Sequence, residues 1–267
     1  MAKKLAGVQK AVKKDGTVYY RASITFRGKH ISLGSFETAG RANAAYREAG
    51  GILADPQYLP SDAEDREEVL SYQKKISLIN FRDNKLYIAN PIYIRKRFFE
   101  YHYAPGIILK FDQDDLFYYS SHKIQKRGGR FFVVDYALQT GIGMRYGIKT
   151  YAVEGRDYRF VNGDPLDYRY ENIEIFNTYT GVSCTETNGQ RTYTAKIHLN
   201  GDYVIGRYNT AEEAAIAYNK AVDIVKKAGV TRQYVPNYME NISPSEYADI
   251  YARIRISDKI RHYTILD

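Results

Sequence analysis

The sequence predicts an α+β fold in which two small modules, each a three-stranded antiparallel sheet with one helix, flank a central mixed region. Three observations carry this. One residue pattern occurs twice: residues 7–50 contain Gly7-Val8, Tyr20-Arg21-Ala22-Ser23-Ile24, Leu33-Gly34-Ser35-Phe36-Glu37-Thr38-Ala39, then Ala42, Ala45 and Tyr46. Residues 181–222 contain Gly181-Val182, Tyr193-Thr194-Ala195-Lys196-Ile197, Ile205-Gly206-Arg207-Tyr208-Asn209-Thr210-Ala211, then Ala214, Ala217 and Tyr218. Matching positions stay 172 to 174 residues apart, which marks two copies of one module and not a short-period solenoid. Within each copy, period-two alternation gives way to helical spacing. Between the copies, short apolar and aromatic runs are split by turn residues, as expected of strands.

In the first copy (1–54), Tyr20, Ala22, Ile24 and Phe26 alternate with Arg21, Ser23, Thr25 and Arg27, a strand with one buried and one wet face. Gly28 supplies a turn and Lys29 to Phe36 returns as a second strand; Gly7 to Val12 forms a third, joined through Asp15-Gly16. Thr38 caps a helix whose Ala42, Ala45, Tyr46 and Ala49 share one face. The second copy (179–229) turns Tyr193, Ala195, Ile197 and Leu199 inward and Thr194, Lys196, His198 and Asn200 outward, and Thr210 with Glu213 forms a capping box.

Residues 55–85 are read as an acidic helical or linker segment, with Asp62, Glu64, Asp65, Glu67 and Glu68. Residues 86–178 form the central domain, with strands expected at Leu86-Tyr87-Ile88 and Phe131-Phe132-Val133-Val134 and a turn at Gly128-Gly129. Its clusters Arg95-Lys96-Arg97 and Lys123 to Arg127 suit phosphate tracking or a solvated edge equally. Residues 230–267 are a C-terminal helical segment, where Ser243-Pro244-Ser245-Glu246 is a capping box and Tyr247, Ile250 and Ile254 make an apolar stripe. That stripe suits a cap on the second module or a homodimer contact.

The 267 residues carry a net charge of +8, with 27 tyrosines and no tryptophan. Residues 1–54 hold ten Lys/Arg against three Asp/Glu, residues 179–229 six against five, and the rest is balanced, so nearly all the excess lies in the first copy. A basic, tyrosine-rich chain points to a polyanion partner. The single Cys184 rules out an internal disulfide and a multi-cysteine zinc site, and suits a reducing cytoplasmic compartment. No apolar run is long enough for a membrane span, and the Lys-rich start has no apolar segment behind it.

The outward residues of each copy are long donors, and a two- or three-stranded sheet fits the DNA major groove. The pattern Gly-Val, Tyr-x-Ala-x-Ile, Leu-Gly-x-Phe-x-Thr-Ala, Ala-x-x-Ala-Tyr resembles the plant Apetala/ethylene-response-factor DNA-binding domain, whose prokaryotic and phage relatives often sit beside HNH homing nucleases. The resemblance implies a sheet in the major groove of double-stranded DNA. Carried onto the first copy, its contact positions are Gln9, Arg21, Ser23, Thr25, His30, Ser32 and Ser35, with Arg27 and Lys29 beside them. On the second copy they are Ser183, Thr194, Lys196, His198, Val204 and Arg207. Plant members carry arginines and tryptophans at several of these points, where this chain has Gln9, Ser32 and Val204, so base specificity does not transfer.

Between the copies, Asn162-Gly163-Asp164-Pro165-Leu166-Asp167-Tyr168-Arg169 and Asn172-Ile173 resemble the tail of a homing-type HNH nuclease, which implies a ββα-containing core. HNH chemistry needs a histidine base and a divalent metal. The positions the resemblance assigns to them hold Arg159 and Phe160; the family's earlier histidine falls near Tyr146 and a downstream ligand at Gly181. His30, His102, His122, His198 and His262 all lie outside this core. The expectation is a catalytically inactive scaffold with no metal and no cofactor, in which Asp167 and Asn172 bond backbone in the turn.

The function expected is therefore a non-enzymatic, site-specific DNA-binding protein acting in transcription regulation in a phage, mobile element or bacterium. Two other readings stay open. One is a metal-dependent nickase using Asp157, Asp164 and Asp167; the other gives the central region a host-protein partner.

Overall fold

A computed structural model of the chain describes residues 5–64 and 69–264. Fourteen strands and seven α-helices are present among them. In chain order they are β1 (Val8–Val12), β2 (Val18–Phe26), β3 (Lys29–Phe36), α1 (Ala39–Ala54), α2 (Tyr72–Asn84), β4 (Ile92–Ile94), β5 (Phe98–Ala104), β6 (Ile107–Asp112), α3 (Leu116–Ser121), β7 (Gln125–Arg127), β8 (Arg130–Asp135), β9 (Leu138–Gly141), α4 (Ile142–Arg145), β10 (Tyr158–Phe160), β11 (Ile173–Ile175), β12 (Val182–Thr187), β13 (Gln190–His198), β14 (Asp202–Tyr208), α5 (Ala211–Lys227), α6 (Pro244–Arg253) and α7 (Asp258–Arg261). The strands form four three-stranded antiparallel sheets and one two-stranded sheet, so the fold is α+β as predicted.

Both modules have the predicted strand–strand–strand–helix order, and their registers coincide. In the first, Val8 pairs with Ala22 and Ala22 with Gly34; in the second, Val182 pairs with Ala195 and Ala195 with Gly206. The register slips at the same step in both, between Ala22 and Ser23 and between Ala195 and Lys196. Such a bulge sharpens the local twist of a strand. A second shared device is the opening glycine. Gly7 (φ +71°) and Gly181 (φ +74°) lie in the left-handed region, and a Cβ on them would sit 2.0 Å from Tyr46 and 2.3 Å from Tyr218. Only glycine lets the helix tyrosine come this close. The Gly7 carbonyl accepts from Ser23 N (3.0 Å) and the Gly181 carbonyl from Lys196 N (2.7 Å).

Contacts divide the chain into two units, Met1–Ile142 with Pro165–Tyr170, and Gly143–Asp164 with Glu171–Asp267. The separate central domain expected over 86–178 is thus shared between the units.

In unit 1, Ala22, Ile31 and Leu33 of the sheet pack on Ala42, Ala45, Ala49, Ile52 and Leu53 of α1, and the core continues through Ile76, Leu78, Ile79 and Phe81 of α2. Of the helical and linker readings of residues 55–85, the helix holds over Tyr72–Asn84, but α2 is a buried core helix and its charged residues serve inside the unit. Arg82, 7% exposed, donates to the Ile52 (3.0 Å), Asp55 and Tyr58 (2.8 Å) carbonyls and so caps the end of α1. Lys75 reaches the Ala63 carbonyl (3.3 Å) and Glu48 (3.8 Å). Of the acidic positions, Asp65, Glu67 and Glu68 lie outside the described residues. Leu86-Tyr87-Ile88 is not a strand: Ser77 and Asn80 of α2 bond the carbonyls of Ala89, Asn90 and Leu86, and Ile88 is buried. Phe131 to Val134 lie in β8 as expected, after a Gly128-Gly129 turn with both residues at positive φ. Residues 165–170 pair with β6, through Lys110 N to the Leu166 carbonyl and Tyr168 N to the Lys110 carbonyl, 2.9 Å each.

In unit 2, Val182, Ala195, Ile197 and Ile205 pack on Ala214, Ala217, Tyr218, Ala221 and Val225 of α5. The α6 stripe serves as a cap on this module. Lys220 Nζ donates to the Tyr251 (2.7 Å) and Ile254 (3.1 Å) carbonyls, Tyr251 donates to Asp223 (2.7 Å), and Asn219 donates to the Tyr247 hydroxyl (3.1 Å). Farther on, Ser257 N and Oγ donate to the Ile205 (2.7 Å) and Val204 (3.0 Å) carbonyls of β14, so chain covers an otherwise open sheet edge.

Candidate nucleic-acid interface

Each module buries one sheet face on its helix and leaves the other outward. On module one, Gln9, Arg21 and Ser35 form one row across three strands, Ser23 and Ser32 the next, and Thr25 and His30 a third. Ser23 is half-buried and the other six are exposed. Arg27 (φ 46°) and Gly28 (φ 76°) form the two-residue hairpin turn, which places Arg27 and Lys29 at the sheet's end, both exposed. The partners of these cations are aromatic. Arg21 donates to the Tyr19 hydroxyl (2.7 Å) and lies 5.5 Å from that ring. Arg27 lies 5.2 Å over Phe26, and Lys29 lies 5.9 Å from the Tyr87 ring. Ring contacts hold a cation in place while leaving its charge uncancelled. Tyr19 was missed from sequence, although it stands two residues from Arg21 and period two puts both on one face.

Module two repeats the rows with different chemistry. Ser183, Thr194 and Arg207 align, then Lys196 with Val204, then His198 with Asp202. Lys196, His198, Val204 and Arg207 are exposed; Ser183 and Thr194 are half-buried, and Ser183 Oγ donates to the Thr194 carbonyl (3.4 Å). Asp202 occupies the sheet position that His30 holds in module one. Its hydrogen bond with His198 Nδ1 (2.7 Å) holds the Asp202 carboxyl below the usual carboxylate range. Among the described residues the face of module one carries cations without a carboxylate partner, whereas that of module two carries a hydrogen-bonded His198–Asp202 pair.

Module two's face also borders a cleft of about 1050 Å³, walled by Tyr151 and residues 232–238. Sequence reading missed these residues. Residues 230–239 form neither helix nor strand, and no motif marked them.

β10 and β11 pair as a two-stranded antiparallel sheet. Within residues 86–178 a β–β–α order occurs at β5–β6–α3 and at β8–β9–α4, whereas β11 is followed by residues 176–181 and then β12, with no helix between. Arg159 pairs across the hairpin with Glu174 (2.7 Å), and its guanidinium lies 5.7 Å from the Phe176 ring, while Phe160 is buried. Asn172 acts as the expected turn staple: its Oδ1 accepts from Asn162 N (2.8 Å) and its Nδ2 donates to the Asp164 carbonyl (3.4 Å). Asp167 is fully buried and accepts from Arg169 N (3.3 Å) and the Arg169 guanidinium (2.8 and 2.6 Å). Asp157 accepts from Val153 N, Arg156 and Asn177. Among the described residues no group of three or more His, Cys, Asp or Glu is placed to hold a metal ion, and no helix is long and apolar enough to cross a membrane.

No protein-family model, curated protein or solved structure matches the chain.

Proposed function

We propose that the protein binds double-stranded DNA site-specifically and is not an enzyme, with module one's outward face laid in the major groove. The single observation that carries this is the face itself: rows of donors on a three-stranded sheet, with Arg21, Arg27 and Lys29 resting on aromatic rings and without a carboxylate partner among the described residues. Donor side chains spaced along a strand suit the edge pattern of bases in the major groove, and the cations suit phosphate. Module two, with the same register and near-neutral balance, adds contacts with less phosphate grip. Transcription regulation is the role that fits a DNA reader of this size, and the β10–β11 hairpin acts as scaffold.

The test is duplex binding across a salt series, after selection of bound sequences from random duplex. Affinity falls steeply with salt because phosphate contacts release counterions, and each lost phosphate contact removes about 0.9 from the slope. Arg21→Ala and Arg27→Ala each weaken binding and flatten the slope by about that amount. Variants that leave both affinity and slope unchanged refute the groove-docking reading.

A further inference from the structure

The two modules differ most in what stands around the outward face. Module two's face opens on a cleft of about 1050 Å³ whose other walls are Tyr151 and the stretch Arg232 to Tyr238. This stretch lacks regular structure, yet its end is pinned. Asn237 N accepts nothing and donates to Asn219 Oδ1 (2.8 Å), while the Asn237 carbonyl accepts from Asn219 Nδ2 (2.8 Å). The Asn237 side chain accepts from Thr180 N (2.7 Å) and donates to the Thr180 carbonyl (2.9 Å). Both asparagines are buried. Tyr238, the next residue, is 84% exposed on this fixed anchor. Tyr151 is 53% exposed, with the Lys149 ammonium 5.8 Å from its ring.

The cations of the cleft are unevenly committed. Lys149 donates to the Thr178 carbonyl, Arg156 pairs with Asp157, and His198 pairs with Asp202. Lys196 is exposed on the floor and Arg232 on the strap. Exposed tyrosine rings beside cations are the chemistry of single-strand recognition: a base face is free to stack on a side chain only when it has left its own stack. A backbone fixed beforehand, as at Asn237, loses little freedom when the next side chain takes up a base. With six Lys/Arg against five Asp/Glu over residues 179–229, module two gains little from phosphate alone, and stacking supplies what charge does not.

We propose that this cleft binds a short single-stranded stretch of nucleic acid, with bases stacked on Tyr151 and Tyr238 and the backbone held by Lys196 and Arg232. The proposal rests on reading module two's outward face as a nucleic-acid surface, and it does not require the duplex contacts of module one.

The test uses the full chain and labelled oligodeoxyuridylate and oligouridylate decamers, followed by fluorescence anisotropy, beside the duplex assay. Binding of either decamer is expected, and the pair identifies which sugar the cleft takes. Tyr151→Ala with Tyr238→Ala is expected to weaken decamer binding at least tenfold and leave duplex binding by module one in place. Tyr151→Phe with Tyr238→Phe keeps the ring faces and is expected to retain decamer affinity, which guards against misfolding. Arg21→Ala is expected to weaken duplex binding and leave the decamers unaffected. A wild-type chain that binds neither decamer, or a double alanine variant with unchanged decamer affinity, overturns the proposal. A wild-type chain that binds the decamers but no duplex would refute the duplex reading and leave the cleft assignment standing.

Discussion

Replacing Gly181 by alanine asks whether the repeated Gly-Val opening is what brings each sheet onto its helix. Gly181 has φ +74°, and an added Cβ would meet the Tyr218 ring at 2.3 Å and the Lys196 carbonyl at 2.7 Å. The left-handed backbone alone costs an L-residue about 1 kcal/mol relative to glycine. Crowding a packed site adds about 1–3 kcal/mol, so the expected loss is about 2–4 kcal/mol. Gly189 provides the control, because it has the same φ of +74° with nothing within 4 Å of its Cβ position. Gly189→Ala is expected to lose only the backbone share, about 1 kcal/mol. Urea unfolding followed by circular dichroism measures both, as a shift in midpoint at constant slope. Equal losses in the two variants would mean that the close approach of Tyr218 contributes nothing, and the packing argument would fail. Gly7→Ala in module one is expected to repeat the larger loss, since its Cβ would lie 2.0 Å from Tyr46.

Two further outcomes follow from the central residues. Asn172→Ala removes the acceptor for Asn162 N and the donor to Asp164, and is expected to cost about 1–3 kcal/mol in the same unfolding assay because groups in a part-buried turn lose their partners; Asn172→Asp keeps the acceptor and loses less. Burial pushes the Tyr101 hydroxyl from 10.0 up to about 12, against a hydrogen bond from Ile124 N that lowers it. The unfolded chain then releases this proton before the folded one does. Its contribution is whole below pH 10 and declines toward pH 12 by up to about 1.4 kcal/mol per pH unit. Urea midpoints at pH 9 and pH 11 should fall more steeply for wild type than for Tyr101→Phe, and matching slopes would exclude Tyr101 as the titrating group.

Much of the module was legible because its signals are local. Alternation assigns Ala22, Ile24, Ala195 and Ile197 to the buried face, and Thr38 and Thr210 sit as helix caps, accepting from Arg41 N (3.2 Å) and Glu213 N (3.1 Å). The outward face of module one was legible for the same reason. The burial of segment 72–84 was not, since the polar groups of Lys75, Asn80 and Arg82 give no local signal of a core helix. They are buried because unit 1 offers each of them carbonyl partners from distant chain. The Leu86-Tyr87-Ile88 run has strand composition, but α2 side chains take the carbonyls that a sheet would need.

By itself the sequence determined the repeat, the faces of each sheet, the helix caps and the concentration of charge in the first copy, because each depends on residues close together along the chain. Tertiary structure alone decided what surrounds module two's outward face, laying residues 232–238 along the cleft beside it. It also pinned Asn237 between Thr180 and Asn219, 57 and 18 residues away along the chain. Partners that far apart meet only when the chain has folded, and no local pattern records them.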